Sequence, residues 1–213
     1  MPVDYEIDPV AIEVESFRRI RELTDLDGLD ADQQQVAMRV VHSLGLPEVV
    51  AGLRFSSAAC SAGIDALARE CPILCDVEMV RHGITRRMRQ TPPLCYLNDE
   101  QVPALAAARG ETRSMAALEL WRPQLEGSLV LIGNAPTALF RLLEMIEDGA
   151  PAPALIVAMP VGFVGAAESK QCLWDRHREL GLECITLLGR QGGSAVTAAS
   201  CNALLRCLRD ERY

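Results

Sequence analysis

The chain has 213 residues, 49% hydrophobic and 23% charged, with a formal net charge of −8. That length fits a single domain over residues 1–213. The negative balance excludes nucleic acid or an anionic membrane surface as the main partner, and no apolar run is long enough to span a bilayer.

The acidic start, Met1-Pro2-Val3-Asp4-Tyr5-Glu6, lacks the basic-then-apolar order of a signal peptide, so a cytoplasmic protein is expected. Asp8-Pro9 reads as an N-cap followed by a first-turn proline, opening a helix with Ile12, Phe17 and Ile20 on a loose apolar stripe and Ser16 beside it. The Gln-rich stretch from Gln33 to Met38 continues through Arg39-Val40-Val41-His42-Ser43-Leu44-Gly45 as a second helix, with Val36, Val40 and Leu44 on one face. Gly45 supplies a left-handed cap and Pro47 prevents the helix from resuming. Arg39 and His42, three residues apart, stand on one face a turn apart. In the last helical turn the macrodipole favours an imidazolium, so a raised pKa is expected for His42. The pair suits a proton donor beside an anion-binding group.

Val49 to Ser57 reads as an extended run, Ala58 to Glu70 as a helix of small residues, and Pro72 to Val77 as a buried strand ending in the polar group Asp76, Glu78, Arg81 and His82. Gly83 to Asp99 is Pro-rich and reads as an irregular loop carrying the basic cluster Arg86, Arg87 and Arg89, either a solvated loop or an anion clamp. Glu100 to Gly110 is an Ala-rich helix. Thr112 caps the next one, with Arg113 in its first turn, a position opposed to the helix dipole that suits a ligand-binding role.

From Gly127 the chain alternates strand and helix three times, each strand entering a Gly-bearing loop: Gly133-Asn134-Ala135, Pro160 to Gly165, and Gly189 to Gly193. Continuous apolar strands separated by helices imply a parallel sheet covered on both faces. The expected fold is a three-layer α/β/α domain with a mainly parallel central sheet of about five strands. Right-handed crossovers place all three loops at one carboxyl edge, as a row of bare backbone N–H groups suited to carboxylates or phosphates. Gly162-x-x-Gly165 lacks the spacing of a dinucleotide fingerprint, no Walker A loop is present, and no G-x-S-x-G elbow supports a hydrolase. The eight cysteines include no C-x-x-C and no zinc-like pairing, so free buried thiols are expected, with no metal and no cofactor. Lys170 is the single lysine.

Taken in order, these segments resemble the precorrin-8X methylmutase (cobalt-precorrin-8 methylmutase) family of cobalamin biosynthesis. The resemblance rests on Pro9-x-x-Ile12-Glu13-x-x-Ser16-Phe17-x-x-Ile20, Arg39-Val40-Val41-His42-x-x-Gly45, Asp76-x-x-Met79-Val80-x-x-Gly83-Ile84 and Thr112-Arg113-Ser114, and on the three Gly-bearing loops with the helix starts that follow them. It departs at Ser43-Leu44 and in the loop from Thr85 to Asn98. It implies an isomerase that moves a methyl group from C-11 to C-12 of a corrinoid, either precorrin-8X or cobalt-precorrin-8, giving hydrogenobyrinate or its cobalt counterpart. It further implies His42 as proton donor and acceptor, Ser16 and Arg39 as substrate-binding groups, and a homodimer. To these the residue reading adds Arg113, Arg190, Gly133, Asn134, Gly162, Gly165, Gly192 and Gly193 as a carboxylate-holding edge. A non-catalytic corrinoid carrier and a nucleotide-dependent oxidoreductase are the competing expectations.

Overall fold

A computed structural model describes residues 5–213; Met1 to Asp4, part of the segment read as lacking a signal pattern, lie outside them. Five strands form one sheet in the order β1-β5-β4-β3-β2: β1 (Leu53–Phe55), β2 (Ile73–Cys75), β3 (Leu129–Ile132), β4 (Leu155–Ala158) and β5 (Cys184–Leu187). β2 through β5 are parallel, and β1 adds an antiparallel edge by pairing Leu53 with Leu187 and Phe55 with Ile185.

Alternation along the strands builds two cores. Ile73, Leu129, Leu131, Leu155, Val157 and Ile185 face α2 (Ala31–Leu44), α3 (Ala59–Ala68) and α9 (Ser194–Leu208). Leu74, Val130, Ile132, Ile156 and Cys184 face α7 (Pro136–Glu147) and α8 (Ala166–Arg176). α1 (Pro9–Leu23) packs outside α2 and buries Phe17, whereas Ile12 of the expected stripe is exposed. The three-layer α/β/α arrangement matches the expectation from sequence.

Local chemistry sets the helix ends near the site. Asp8 Oδ1 accepts from Val10 N at 2.9 Å, as the cap pattern predicts. Asp30 and Gln33 form a reciprocal capping box at the start of α2, a device the sequence reading did not pick out. Gly45 ends α2 at φ 69°, with its N–H on Val41 O. The run from Val49 is not extended throughout. Pro47–Gly52 is a 3₁₀ helix and only Leu53–Phe55 is strand, because Pro47 suits a helical first turn and Gly52 O is taken by Leu188 N. α4 (Glu78–Gly83) ends where the expected irregular loop begins, and that loop contains a short 3₁₀ turn, Arg86–Met88. All eight cysteines are free and six are buried.

Asp76 ties the carboxyl edge together. Just beyond β2, it is 3% exposed and accepts from Gly133 N at 3.0 Å, Asn134 N at 2.8 Å and Ala135 N at 2.9 Å. Burial pushes its carboxyl upward from the usual carboxylate range, and the three loop N–H groups pull it back. Gly133 has no space for a side chain: a Cβ there would lie 2.8 Å from Ser194 Cα and 2.8 Å from Val80 Cγ2. Asp76→Ala strands three inward-facing donors, so urea unfolding is expected to show a loss of about 3 kcal/mol or more. A loss below about 1 kcal/mol would mean that water replaces the carboxylate at little cost.

Candidate active site

Three of the expected site residues come together across α1 and α2. Ser16 Oγ lies 3.1 Å from His42 Nδ1, so Nε2 is the ring nitrogen left for a ligand. The Phe17 ring stacks on the imidazole, centroids 5.1 Å apart and planes 13° from parallel. The Arg39 guanidinium carbon sits 5.7 Å from the Phe17 centroid and 5.5 Å from that of Tyr213. Phe17 was legible only as an apolar stripe residue, and Tyr213 carried no sequence signal. His42 itself remains exposed.

The charge balance at His42 runs against the expectation from sequence. Burial depresses its pKa below the ordinary 6.5, the Arg39 guanidinium depresses it further, and Glu13 opposes both. The helix dipole is a surface effect of a few tenths to one kcal/mol, and here desolvation and a like charge one turn away outweigh it. Because the folded state holds the proton less tightly than the unfolded one, this group makes the protein less stable as pH falls below about 6.5.

α2 carries His42 toward the loop end of the sheet. Its beginning is tied to the chain beyond α9, through Arg212 to Asp32 at 2.8 Å. The turn that follows its end meets β5's carboxyl end, where Leu188 N donates to Gly52 O at 2.9 Å. The remaining expected residues occupy that same edge, where several of their amides are taken while Gly165 N and Gly192 N meet no acceptor among the described residues. Asp76 takes the N–H groups of Gly133 and Asn134, Gly162 N donates to Arg190 O at 3.3 Å, and Gly193 N donates to Met159 O at 2.7 Å. A buried carboxylate and neighbouring carbonyls answer these donors inside the protein. Gly192 serves close packing, since a Cβ there would come 2.1 Å from Met159 O, and Gly165 adopts φ 77° at the start of α8.

The edge also presents side chains. Asn134 and Arg190 are exposed, and the Arg190 guanidinium carbon lies 5.8 Å from the Phe163 centroid. Phe163 and Val164 are 87% and 89% exposed. Arg113, at the start of α6 (Arg113–Leu118), donates through Nη2 to Leu97 O and Asn98 Oδ1, both at 2.9 Å. Its cap Thr112 reaches Thr137 of α7 at 3.1 Å, which puts it at the same edge. Of the basic cluster, Arg89 is held inward by Cys71 O at 2.7 Å, so it is no free clamp. The buried Lys170 Nζ donates to Gln191 O at 2.5 Å, and burial lowers its pKa to about 8. Among the described residues, no group of His, Cys, Asp or Glu is arranged to hold a metal ion, and no helix is long and apolar enough to cross a membrane.

The model of one protein family, precorrin-8X methylmutase, matches residues 11–207. The chain belongs to the precorrin-8X methylmutase family. A precorrin-8X methylmutase of Pseudomonas aeruginosa is 52% identical over 204 residues, 95% of this chain and 97% of the relative. A cobalt-precorrin-8 methylmutase of Salmonella typhimurium is 38% identical over 213 residues, 95% and 97% of the two chains. The solved precorrin-8X methylmutase of Thermus thermophilus superposes with a TM-score of 0.85 at 34% identity, over 94% of this chain and 97% of that one. The family match makes the chain an isomerase of the methylmutase class and disfavours the carrier and oxidoreductase readings.

Because burial and Arg39 both depress the His42 pKa, nuclear magnetic resonance of its ring is expected to show a midpoint below 6.5. Arg39→Gln raises that midpoint and Glu13→Gln lowers it. A wild-type midpoint above 6.5, unmoved by either change, would contradict the electrostatics described for this site.

Proposed function

We propose that this chain moves a methyl group from C-11 to C-12 of precorrin-8X or cobalt-precorrin-8, with His42 as the group that exchanges a proton with the macrocycle. The observation that carries this reading is the Ser16–His42 contact, which holds Nδ1 at 3.1 Å and leaves Nε2 for a ligand. A protonated macrocycle is electron-poor, so the bond from C-11 to the methyl carbon weakens as the bond from C-12 to it forms. The same proton then returns to His42, and no atom or electron is gained or lost overall. The part of the depression that comes from burial makes the imidazolium a stronger acid that gives up its proton more readily.

At neutral pH the free site holds mostly neutral imidazole. A substrate fringed with carboxylates brings negative charge close to Arg39 and His42, which cancels the push of Arg39 and favours the imidazolium. Proton loading thereby follows substrate binding. Arg39 and the exposed Arg190 are the cations we assign to substrate carboxylates, with Arg113 joining if it exchanges Asn98 for one. Asn134 contributes its exposed side chain, and Gly133, Gly162, Gly165, Gly192 and Gly193 shape the edge. Phe163 and Val164 offer an apolar surface to the macrocycle.

The finer assignments, a homodimer working in the cytoplasm, are part of the same proposal. Ile7, Val10 and Val14 along the outer side of α1 are 77%, 67% and 64% exposed, an apolar strip suited to a second copy. A depression of about 710 Å³ runs along that side past Ser16. Its charged lining, Glu6 with the Glu15–Arg19 pair, carries no excess of cations for a polyanionic ring and suits a protein partner better.

His42→Asn is expected to fold and to bind the corrinoid product, while kcat falls by about 10² or more. Full turnover in that variant would remove His42 from the mechanism. In the wild type, the pH midpoint of kcat should lie above that of kcat/KM, because bound substrate raises the His42 pKa. Identical midpoints would contradict proton loading by the substrate.

A further inference from the structure

The chain beyond α9 folds back over the α1–α2 pair. Tyr213 N donates to Gln35 Oε1 at 2.9 Å, and Arg21 Nη2 donates to Tyr213 O at 3.0 Å. With Arg212 on Asp32, these bonds bring the Tyr213 ring face to face with Phe17, centroids 3.5 Å apart and planes 9° from parallel. Phe17 is the ring that stacks on His42. The Arg206 guanidinium carbon lies 4.2 Å from the Tyr213 centroid. Tyr213 falls beyond residues 11–207, the extent of the family match, which therefore gives it no role.

We propose that Tyr213 is a positioning residue for His42, acting through Phe17 and Arg39 to fix the plane of the imidazole and the charge beside it. The proposal rests on the proton-exchange role given to His42 above. Arg39 Nε is buried with no hydrogen-bond partner, and among the described residues no carboxylate pairs with Arg39. Two aromatic faces therefore hold its guanidinium, and Tyr213 supplies the nearer one, at 5.5 Å. Without that ring, Arg39 is free to turn toward water and Phe17 gains room to leave its stacked orientation. Both changes release His42 toward the behaviour of a solvated imidazole. The charged groups facing this assembly are Glu13 from α1, Arg39 from α2, and Arg206 and Glu211 from α9 and the tail. Arg206 lies 3.9 Å from both Glu13 and Glu211, so it stays neutralised when Tyr213 is replaced. Among the described residues the Tyr213 hydroxyl has no partner, so the ring carries the effect rather than the phenol.

The test compares wild type, Tyr213→Phe and Tyr213→Leu by histidine ring titration and by turnover of precorrin-8X. The chain has only three histidines, and His82 and His177 serve as internal controls. Tyr213→Phe is expected to keep the wild-type His42 midpoint and kcat. Tyr213→Leu should raise the His42 midpoint alone and lower kcat about 10-fold, as for a misoriented catalytic group. A His42 midpoint unmoved in Tyr213→Leu, or one that moves together with both controls, overturns the proposal. A raised midpoint with unchanged kcat would leave the positioning intact and instead refute proton exchange by His42. Should Tyr213→Leu fail to fold, Arg212→Gln frees the tail from Asp32 with every ring retained, and its His42 midpoint is read in the same way.

Discussion

His42 sits in the last turn of α2, and α2 alone does nothing to hold its ring. Its orientation comes from α1, through the Ser16 hydroxyl at Nδ1 and the Phe17 ring against its face. A proton can be delivered to one position on a large conjugated ring only if the donor nitrogen keeps a fixed direction. On the proton-exchange role proposed for His42, the packing of α1 on α2 is a catalytic constraint as well as a structural one. The buried Phe17 makes that packing specific, since a smaller side chain would leave both the helix contact and the imidazole loose.

At the carboxyl edge, part of the loop backbone is already occupied within the protein. Asp76 spends a buried carboxylate on three N–H groups of the β3–α7 loop, while Met159 O and Arg190 O take donors from the other two. The amides of Gly165 and Gly192 meet no acceptor among the described residues, so the edge offers backbone N–H groups beside the exposed side chains of Arg190 and Asn134. Such a mixture suits a ligand whose carboxylates sit on short arms around its rim.

Much of the fold was legible because its signals are local. The strands are continuous apolar runs, the helix ends carry Asp8, Gly45 and Gly110, and strand–helix alternation dictates a parallel sheet. Ser16, Arg39 and His42 were legible as one group through family resemblance, and the geometry brings them together. What could not be read depends on partners distant in sequence. Asp76 is visibly a carboxylate at a strand end, but no pattern shows that it faces the loop after the neighbouring strand. The pKa of His42 was given the wrong sign because the helix dipole is written in the sequence and desolvation is not. Arg39 was visible three residues away, and its charge deserved more weight than the dipole. Tyr213 lies in no periodic segment, so only the tail's return path reveals it.

The measurement that bears most directly on the central claim is the crystal structure of the chain with hydrogenobyrinate bound. The account predicts His42 Nε2 within hydrogen-bonding distance of the macrocycle near C-11 and C-12, Ser16 still on Nδ1, and carboxylates on Arg39 and Arg190. A ring bound elsewhere, or one separated from the imidazole by solvent or protein, would contradict it.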